Sequence, residues 1–245
     1  LAELLGAQLG LATPLLAIVF CVGVVRCARN GAWRRPASGL LLAVTALPAL
    51  VFLQHALGGR VQANWPGVIY PSAALAAALT LVPFWRASAL LGAALSVAIL
   101  LQAAAAPFAL PRRLDFTLIR LAGWDDLARA ADRARAACGA GFIAADEYGL
   151  ASELAFHLSA PVLAVGARWS DVALPRAAPG TPSGLLVRSD REAGGPDSAI
   201  WPGAAAIGTA RRARAGITAE TYTLYCVRVP VRAAMALLPP GLAAD

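Results

Sequence analysis

The chain has 245 residues, of which 59% are hydrophobic and 14% charged, with a mean hydropathy of +0.64. Soluble domains lie nearer half apolar and a quarter charged, so this balance points to a membrane class. The formal net charge of +7 lies between apolar runs rather than on one face beside stacking or groove-reading residues, which argues against nucleic acid as a partner.

Through residue 107 there are six arginines and a single acid, Glu3, whereas fifteen arginines and thirteen acids follow. All twenty-one basic residues are Arg, a compositional bias from which no function follows. Four apolar runs open the chain: Leu9 to Val25, Gly39 to Leu57, Val68 to Phe84 and Ala87 to Leu110. Each approaches the ~20 residues that a helix needs to cross ~30 Å of hydrocarbon. None contains an internal Lys, Arg, Asp or Glu. As soluble helices they would have almost no polar face to turn toward water, so residues 1–110 are expected to form about four transmembrane helices. Pro14, Pro48, Pro71 and Pro83 are tolerated near span ends or beside supporting helices. The first run lacks a basic leader and three more follow it, unlike a cleaved signal peptide.

Orientation follows from the loops. Residues 26–35 carry Arg26, Arg29, Arg34 and Arg35. Each would cost about 2.5–3.5 kcal/mol at mid-membrane, and the positive-inside bias places them in the cytoplasm. Trp85 and Arg86 then fall on the same side, while Gly58 to Gly67 and everything after Leu110 fall outside. Trp33, Trp65 and Trp85 sit near span ends, where indoles anchor at the interface.

From Pro111 the pattern changes, and residues 111–245 are expected to form a small extracytoplasmic α/β domain. Trp124, Leu127, Ala131, Ala134 and Cys138 recur at helical steps behind Asp125 and Asp126. Gly141 to Ala145, Tyr148 to Leu158 and Pro161 to Val165 then read as strand, helix and strand with parallel pairing. Further strands are expected at Gly184 to Val187, Ala204 to Ile207 and Tyr222 to Val229, with loops at 175–183 and 189–198. Of the four cysteines, Cys21 and Cys27 read as small hydrophobes in or beside a span. Cys138 and Cys226 are free to pair if their domain faces an oxidising compartment.

The stretch 59–70 concentrates polar chemistry at one membrane surface: Arg60, Gln62, Asn64, Trp65 and Tyr70. An Arg beside amide donors suits a lipid-linked phosphate, and a Trp suits a sugar ring. The plainer alternative is an ordinary loop whose Trp and Tyr mark the interface. Elsewhere, Glu153 and His157 stand four apart on a helix without an evident third metal ligand. Asp146 and Glu147 end a strand, where they either begin the next helix or contact a sugar. His55 is an ionisable residue in the second span. Ser152 and Ser170 lack the setting of a nucleophile, and no P-loop or dinucleotide fingerprint occurs. No metal and no cofactor are expected.

Val61-Gln-Ala-Asn-Trp-Pro-Gly-Val-Ile-Tyr-Pro71 resembles a stretch of the bacterial glycosyltransferase family 39 group, relatives of protein O-mannosyltransferases and of the lipid A aminoarabinose transferase. Gln8-Leu-Gly-Leu-Ala-Thr-Pro-Leu-Leu resembles a late span of the same group. Gly123-Trp-Asp-Asp-Leu-Ala, residues 145–158 and Gly166-Ala-Arg-Trp-Ser-Asp171 resemble its C-terminal domain. The resemblance implies a membrane enzyme of the GT-C class. It would invert a sugar while moving it from a polyprenyl-phosphate carrier to a lipid, glycan or protein acceptor outside the cytoplasm. By that pattern Arg60 would meet the leaving phosphate, with Gln62 and Asn64 near carrier or sugar. The group's catalytic carboxylate lies in an early external loop that has no counterpart here, so the catalytic residue is expected outside this chain. The expectation is the C-terminal portion of a longer bacterial inner-membrane enzyme, or a shortened relative. A non-enzymatic membrane-anchored binding or assembly module is the alternative. A transporter segment fits less well, because the spans lack polar interruptions beyond the prolines.

Overall fold

The computed structural model describes residues 2–29, 31, 34–59, 61–175, 180–229 and 235–238. The chain divides into two compact units, Leu1–Leu101 and Gln102–Asp245.

The first unit is helical: α1 (Ala2–Ala12), α2 (Pro14–Arg29), α3 (Pro36–Gly58), α4 (Tyr70–Leu79) and α5 (Trp85–Ala105), the last running into the second unit. Two of these, α3 and α5, are long and apolar enough to cross a membrane, and a third span results if α1 and α2 act as one broken helix. Within the chain only 6% of the apolar window of α3 and 11% of that of α5 is buried. Leu40, Leu47, Leu57, Leu90 and Leu100 are each at least 60% exposed. A helix that is apolar all round requires an apolar surrounding.

Four straight spans are therefore not what forms. The first expected span is cut at Thr13, where φ is +62° and the axis turns by 101°. Pro14 supplies the reason: it donates no N–H and disfavours helical backbone in the residue before it. The third expected span comprises a 3₁₀ turn at Trp65–Ile69 and only ten α-helical residues. It ends at Leu79, and Leu81 and Phe84 take positive φ around Pro83. The fourth ends at Ala105, because Ala106 has φ +45° just before Pro107. Pro48, by contrast, lies inside α3.

Small residues bring α2 and α4 together. A Cβ on Gly23 would lie 2.4 Å from the Ala77 Cα, so only glycine permits this approach, and Val19, Ala77 and Val82 form the buried cluster beside it. Backbone proximity through small side chains is how helices associate without a hydrophobic drive. The Thr45 and Ser72 hydroxyls, 2.8 Å apart, link α3 to α4.

The second unit carries α6 (Phe116–Leu121), α7 (Trp124–Ala137), β1 (Phe142–Ala145), α8 (Tyr148–His157), β2 (Val162–Val165), β3 (Ser183–Ser189), β4 (Ala205–Arg214), β5 (Ile217–Arg228) and β6 (Met235–Leu238). The strands form one sheet in the order β4-β5-β3-β1-β2-β6. β1 is parallel to both β2 and β3, and β4, β5 and β6 join antiparallel. The expected β1-α8-β2 unit and α7 are present. β4 and β5 are longer than their sequence cores suggest, and α6 and β6 had no expected counterpart. Strand alternation separates two cores. Ile143, Ala145, Val162 and Val187 face α7 and α8 through Leu127, Leu150 and Leu154. Phe142, Ala144, Leu163 and Leu186 face the other way, where Trp201 from the β3–β4 connection covers them.

Cys138, capping the C-terminus of α7, forms a disulfide with Cys226 of β5 across a sequence separation of 88. Long loops gain most from closure, and a bridge of this kind contributes about 2–4 kcal/mol. Together with the candidate spans it is consistent with a membrane protein whose α/β domain is non-cytoplasmic. Reduction, or a Cys138→Ser change, should lower the unfolding free energy of the α/β unit by about 2–4 kcal/mol in urea titrations of the detergent-solubilised chain. A Cys21→Ser control should be nearly neutral for that unit.

Candidate functional site

Two places carry polar side chains in a setting suited to a ligand, and each lies within one unit. The first is the stretch 61–70. α3 ends at Gly58, and Asn64 precedes the 3₁₀ turn that leads to α4. Gln62, Asn64 and Trp65 are exposed, Trp65 by 49%, and their side chains make no hydrogen bond to the described residues. Arg60 lies outside the described residues, as does Trp33. Tyr70 is half-buried; its hydroxyl donates to Gln8 Oε1 at 2.6 Å, and its ring lies 5.8 Å from that of Phe20. Gln8 Nε2 in turn donates to the Ala63 carbonyl at 2.8 Å. One amide on α1 thus pins both ends of the stretch. The sequence carries no signal for this role, because the partners are 55 and 62 positions away.

The second place is a cavity of about 450 Å³ in the α/β unit. The chain passes from β1 to β2 on one side and then returns to β3 on the other, so the order of the parallel strands reverses at β1. Ligands gather beyond the carboxyl ends of strands at such a point. Here Glu147 and Tyr148 follow β1, while Ser189, Arg191 and Glu192 end and follow β3; all five line the cavity. Trp124, Arg212, Glu220 and Tyr222 form a further wall.

That wall is a closed network. Arg212, 2% exposed, donates from Nε to the Tyr222 hydroxyl at 2.7 Å and from Nη1 to the Ala122 carbonyl at 2.9 Å. Its Nη2 reaches the Ile119 carbonyl at 3.2 Å and Glu220 at 2.9 Å, and its guanidinium stacks 3.7 Å from the Trp124 ring centre. An arginine is tolerated at this depth only when paired in this way. Burial alone would raise the Glu220 pKa, but the Ser189 hydroxyl and the Arg191 and Arg212 guanidinia outweigh it and hold the carboxyl below its ordinary range. Burial pushes the Tyr222 hydroxyl upward. A register shift between Arg212 and Ala213 marks a β-bulge beside the network, a device that re-aims side chains.

The acids at the end of β1 are occupied structurally. Glu147 caps α8, accepting from Gly149 N at 3.0 Å and Leu150 N at 2.8 Å. Asp146 pairs with Arg188 on the opposite face of the sheet, and Arg188 also meets Glu192 at 3.2 Å. Burial raises the Asp146 pKa against the pull of Arg188, and burial with the nearby Asp146 charge raises that of Glu192. His157 bridges two helices, with Nδ1 2.8 Å from Asp125 and Nε2 3.7 Å from Glu153. Among the described residues no group of three ligating side chains is placed to hold a metal. Ser152 and Ser170 donate to carbonyls one turn back, at Tyr148 and Ala167.

Asp115 immediately precedes α6 in this unit. It is 4% exposed, caps α6 through Leu118 N at 3.0 Å, and accepts from Gln102, Thr117 and Arg214. Burial opposes its charge, but the backbone N–H of Leu118 and the three side-chain donors prevail and hold its pKa well below the ordinary 3.8. A depressed carboxylate contributes stability that is complete above its unfolded value and fades as the pH falls toward the folded one. The unfolding free energy of the α/β unit should therefore decline as the pH drops below about 4, and Asp115→Asn should flatten that limb while costing ~3 kcal/mol at neutral pH. Chemical denaturation followed between pH 2 and 7 measures both.

Comparison with protein-family models, with curated proteins and with solved structures gave no match to this chain.

Proposed function

We propose that this chain is part of an integral-membrane glycosyltransferase of the GT-C type, moving a sugar from a polyprenyl-phosphate carrier to an acceptor outside the cytoplasm. The observation that carries the reading is the Gln8 bridge, which holds an exposed amide and indole beside the ends of apolar helices. There a lipid head group is the natural neighbour. The sequence resemblance over residues 61–71, 123–128, 145–158 and 166–171 supplies the reaction class.

Membrane crossing parity supports four crossings despite the irregular helices. The arginine-rich segment 26–35 is retained in the cytoplasm by the positive-inside rule, so α3 brings residues 61–69 out. For α5 to deliver the disulfide-bonded unit to the same outer side, residues 65–79 must return the chain inward. Five 3₁₀ and ten α-helical residues span about 25 Å, close to the ~30 Å of hydrocarbon. The setting is a bacterial inner membrane.

In transfer the acceptor oxygen forms a bond to the anomeric carbon as the bond to the carrier phosphate breaks. The acceptor proton passes to a carboxylate base, and the phosphate leaves with its negative charge. Through residue 107 the sole acid is Glu3, and no residue of this chain is assigned as that base. The role offered to Arg60 is neutralising the phosphate, with Gln62 and Asn64 donating to carrier or sugar and Trp65 stacking on the ring. Tyr70 sets the position of this group through Gln8.

The polar cavity of the α/β unit favours one second reading, a membrane-anchored binding module without catalysis. Full-length protein in lipid, supplied with polyprenyl-phosphate sugars, distinguishes the two. Sugar transfer is expected, reduced about 100-fold by Arg60→Ala. Gln8→Leu should reduce it less, about 3- to 10-fold, as a lost hydrogen bond does. Transfer and carrier affinity unaffected by Arg60→Ala would remove the site assignment, and no transfer with any carrier would favour the binding module.

A further inference from the structure

The cavity at the carboxyl ends of β1 and β3 has a lining that selects for one kind of ligand. Its volume of about 450 Å³ falls in the range of ~300–1,000 Å³ typical of small-molecule sites, but its walls are unusually polar. The polar groups fall into those wholly spent on the fold and those that keep unbonded atoms exposed. Glu147 spends both oxygens on the first N–H groups of α8, and Arg212 and Glu220 are held in their own network. Glu192 meets Arg188 at 3.2 Å, Arg191 meets Glu220 at 3.1 Å and Glu153 lies 3.7 Å from His157, yet each uses one atom in its pair and stays partly exposed, as does Arg120. Two acids face two bases.

This balance disfavours either sign of ligand charge. The Glu147 cap also closes the helix terminus to anions, since a phosphate would replace amide donors with a carboxylate. Free carboxylate oxygens and guanidinium N–H groups together suit a ligand that both donates and accepts hydrogen bonds without net charge. Aromatic surface completes the set. Tyr148 is 51% exposed at the start of α8, and Arg168, which does not line the cavity, lies 4.2 Å over its ring. Trp124, partly buried, also lines the cavity. Hydroxyl groups around a ring with C–H faces describe a pyranose.

We infer that this cavity binds a neutral glycan, gripped by Glu153, Glu192 and Arg191 and stacked on Tyr148. The assignment goes beyond the proposed transfer reaction and does not rest on it. A catalytic chain would use the cavity to hold a glycan acceptor, and a non-catalytic one would use it as its binding site.

The experiment is saturation-transfer NMR on the full-length protein in nanodiscs with no carrier lipid added. The probes are the methyl glycosides of mannose, glucose and galactose, N-acetylglucosamine, and inorganic phosphate. At least one neutral sugar should saturate, and Tyr148→Ala and Glu153→Gln should each weaken it about fivefold or more. Both variants should keep the wild-type melting temperature and the Cys138–Cys226 bridge, since Tyr148 is exposed and the Glu153 side chain is 40% exposed. Failure of every neutral sugar to saturate would overturn the proposal. So would phosphate binding more tightly than the sugars, or sugar binding indifferent to both substitutions. Because no carrier is present, a failure of glycosyl transfer leaves this result untouched.

Discussion

Two helices whose apolar side chains find almost no cover within the chain set the terms for everything else. With 6% and 11% of their windows buried, α3 and α5 are apolar on every side and long enough to be candidate membrane spans. Placing them in hydrocarbon forces each interruption of the backbone to be satisfied locally. The breaks at Thr13 and at residues 80–84 meet that demand through short-range bonds, such as the Thr80 hydroxyl to the Ala76 carbonyl at 2.8 Å. Helix contacts then rest on small residues, Gly23 against Ala77, and on one hydroxyl pair, Thr45 with Ser72. The same geometry leaves the polar stretch 61–70 at the helix ends, where Gln8 fixes it.

The α/β unit solves a different problem. Its sheet buries one face under two helices and the other under a connection anchored by Trp201, so the cores are conventional. What distinguishes it is charge held inside. Arg212 joins the α6–α7 turn to β4 and β5, and Asp115 gathers Gln102, Thr117 and Arg214 at the start of the unit. Gly123, at φ +76°, lets the chain pass within contact distance of Ala213 at this junction. The pairs impose a geometry more than they add stability, because desolvation offsets much of their attraction. One consequence of that geometry is an open polar cavity beside a closed polar network.

Much of this was legible in the residues, and the failures have physical reasons. Period-3.6 spacing with acids in the first turn identified α7, and short apolar runs flanking a helical stretch identified β1, α8 and β2. Apolar run length, however, does not report continuity. The Thr13-Pro14 step marks a helix boundary by its own chemistry, yet sits inside a run that reads as one span. β6 is four residues in an alanine-rich segment, and α6 is too short to show a period, although Asp115 is a capping residue in the right place. The candidate sites divide in the same way. Residues 61–70 are contiguous and could be singled out, whereas the cavity collects residues from 119 to 222 through a reversal in strand order that no local pattern encodes.

Lipid-carrier recognition requires the Gln8-pinned stretch to face the outer side of the membrane. Single cysteines at Asn64 and Arg86, in a background lacking Cys21 and Cys27, can be challenged in intact cells with a membrane-impermeant maleimide. Asn64→Cys should react from outside, and Arg86→Cys only after permeabilisation. Protection of position 64 in intact cells, or equal labelling of both positions, would contradict the arrangement on which lipid-carrier recognition is built.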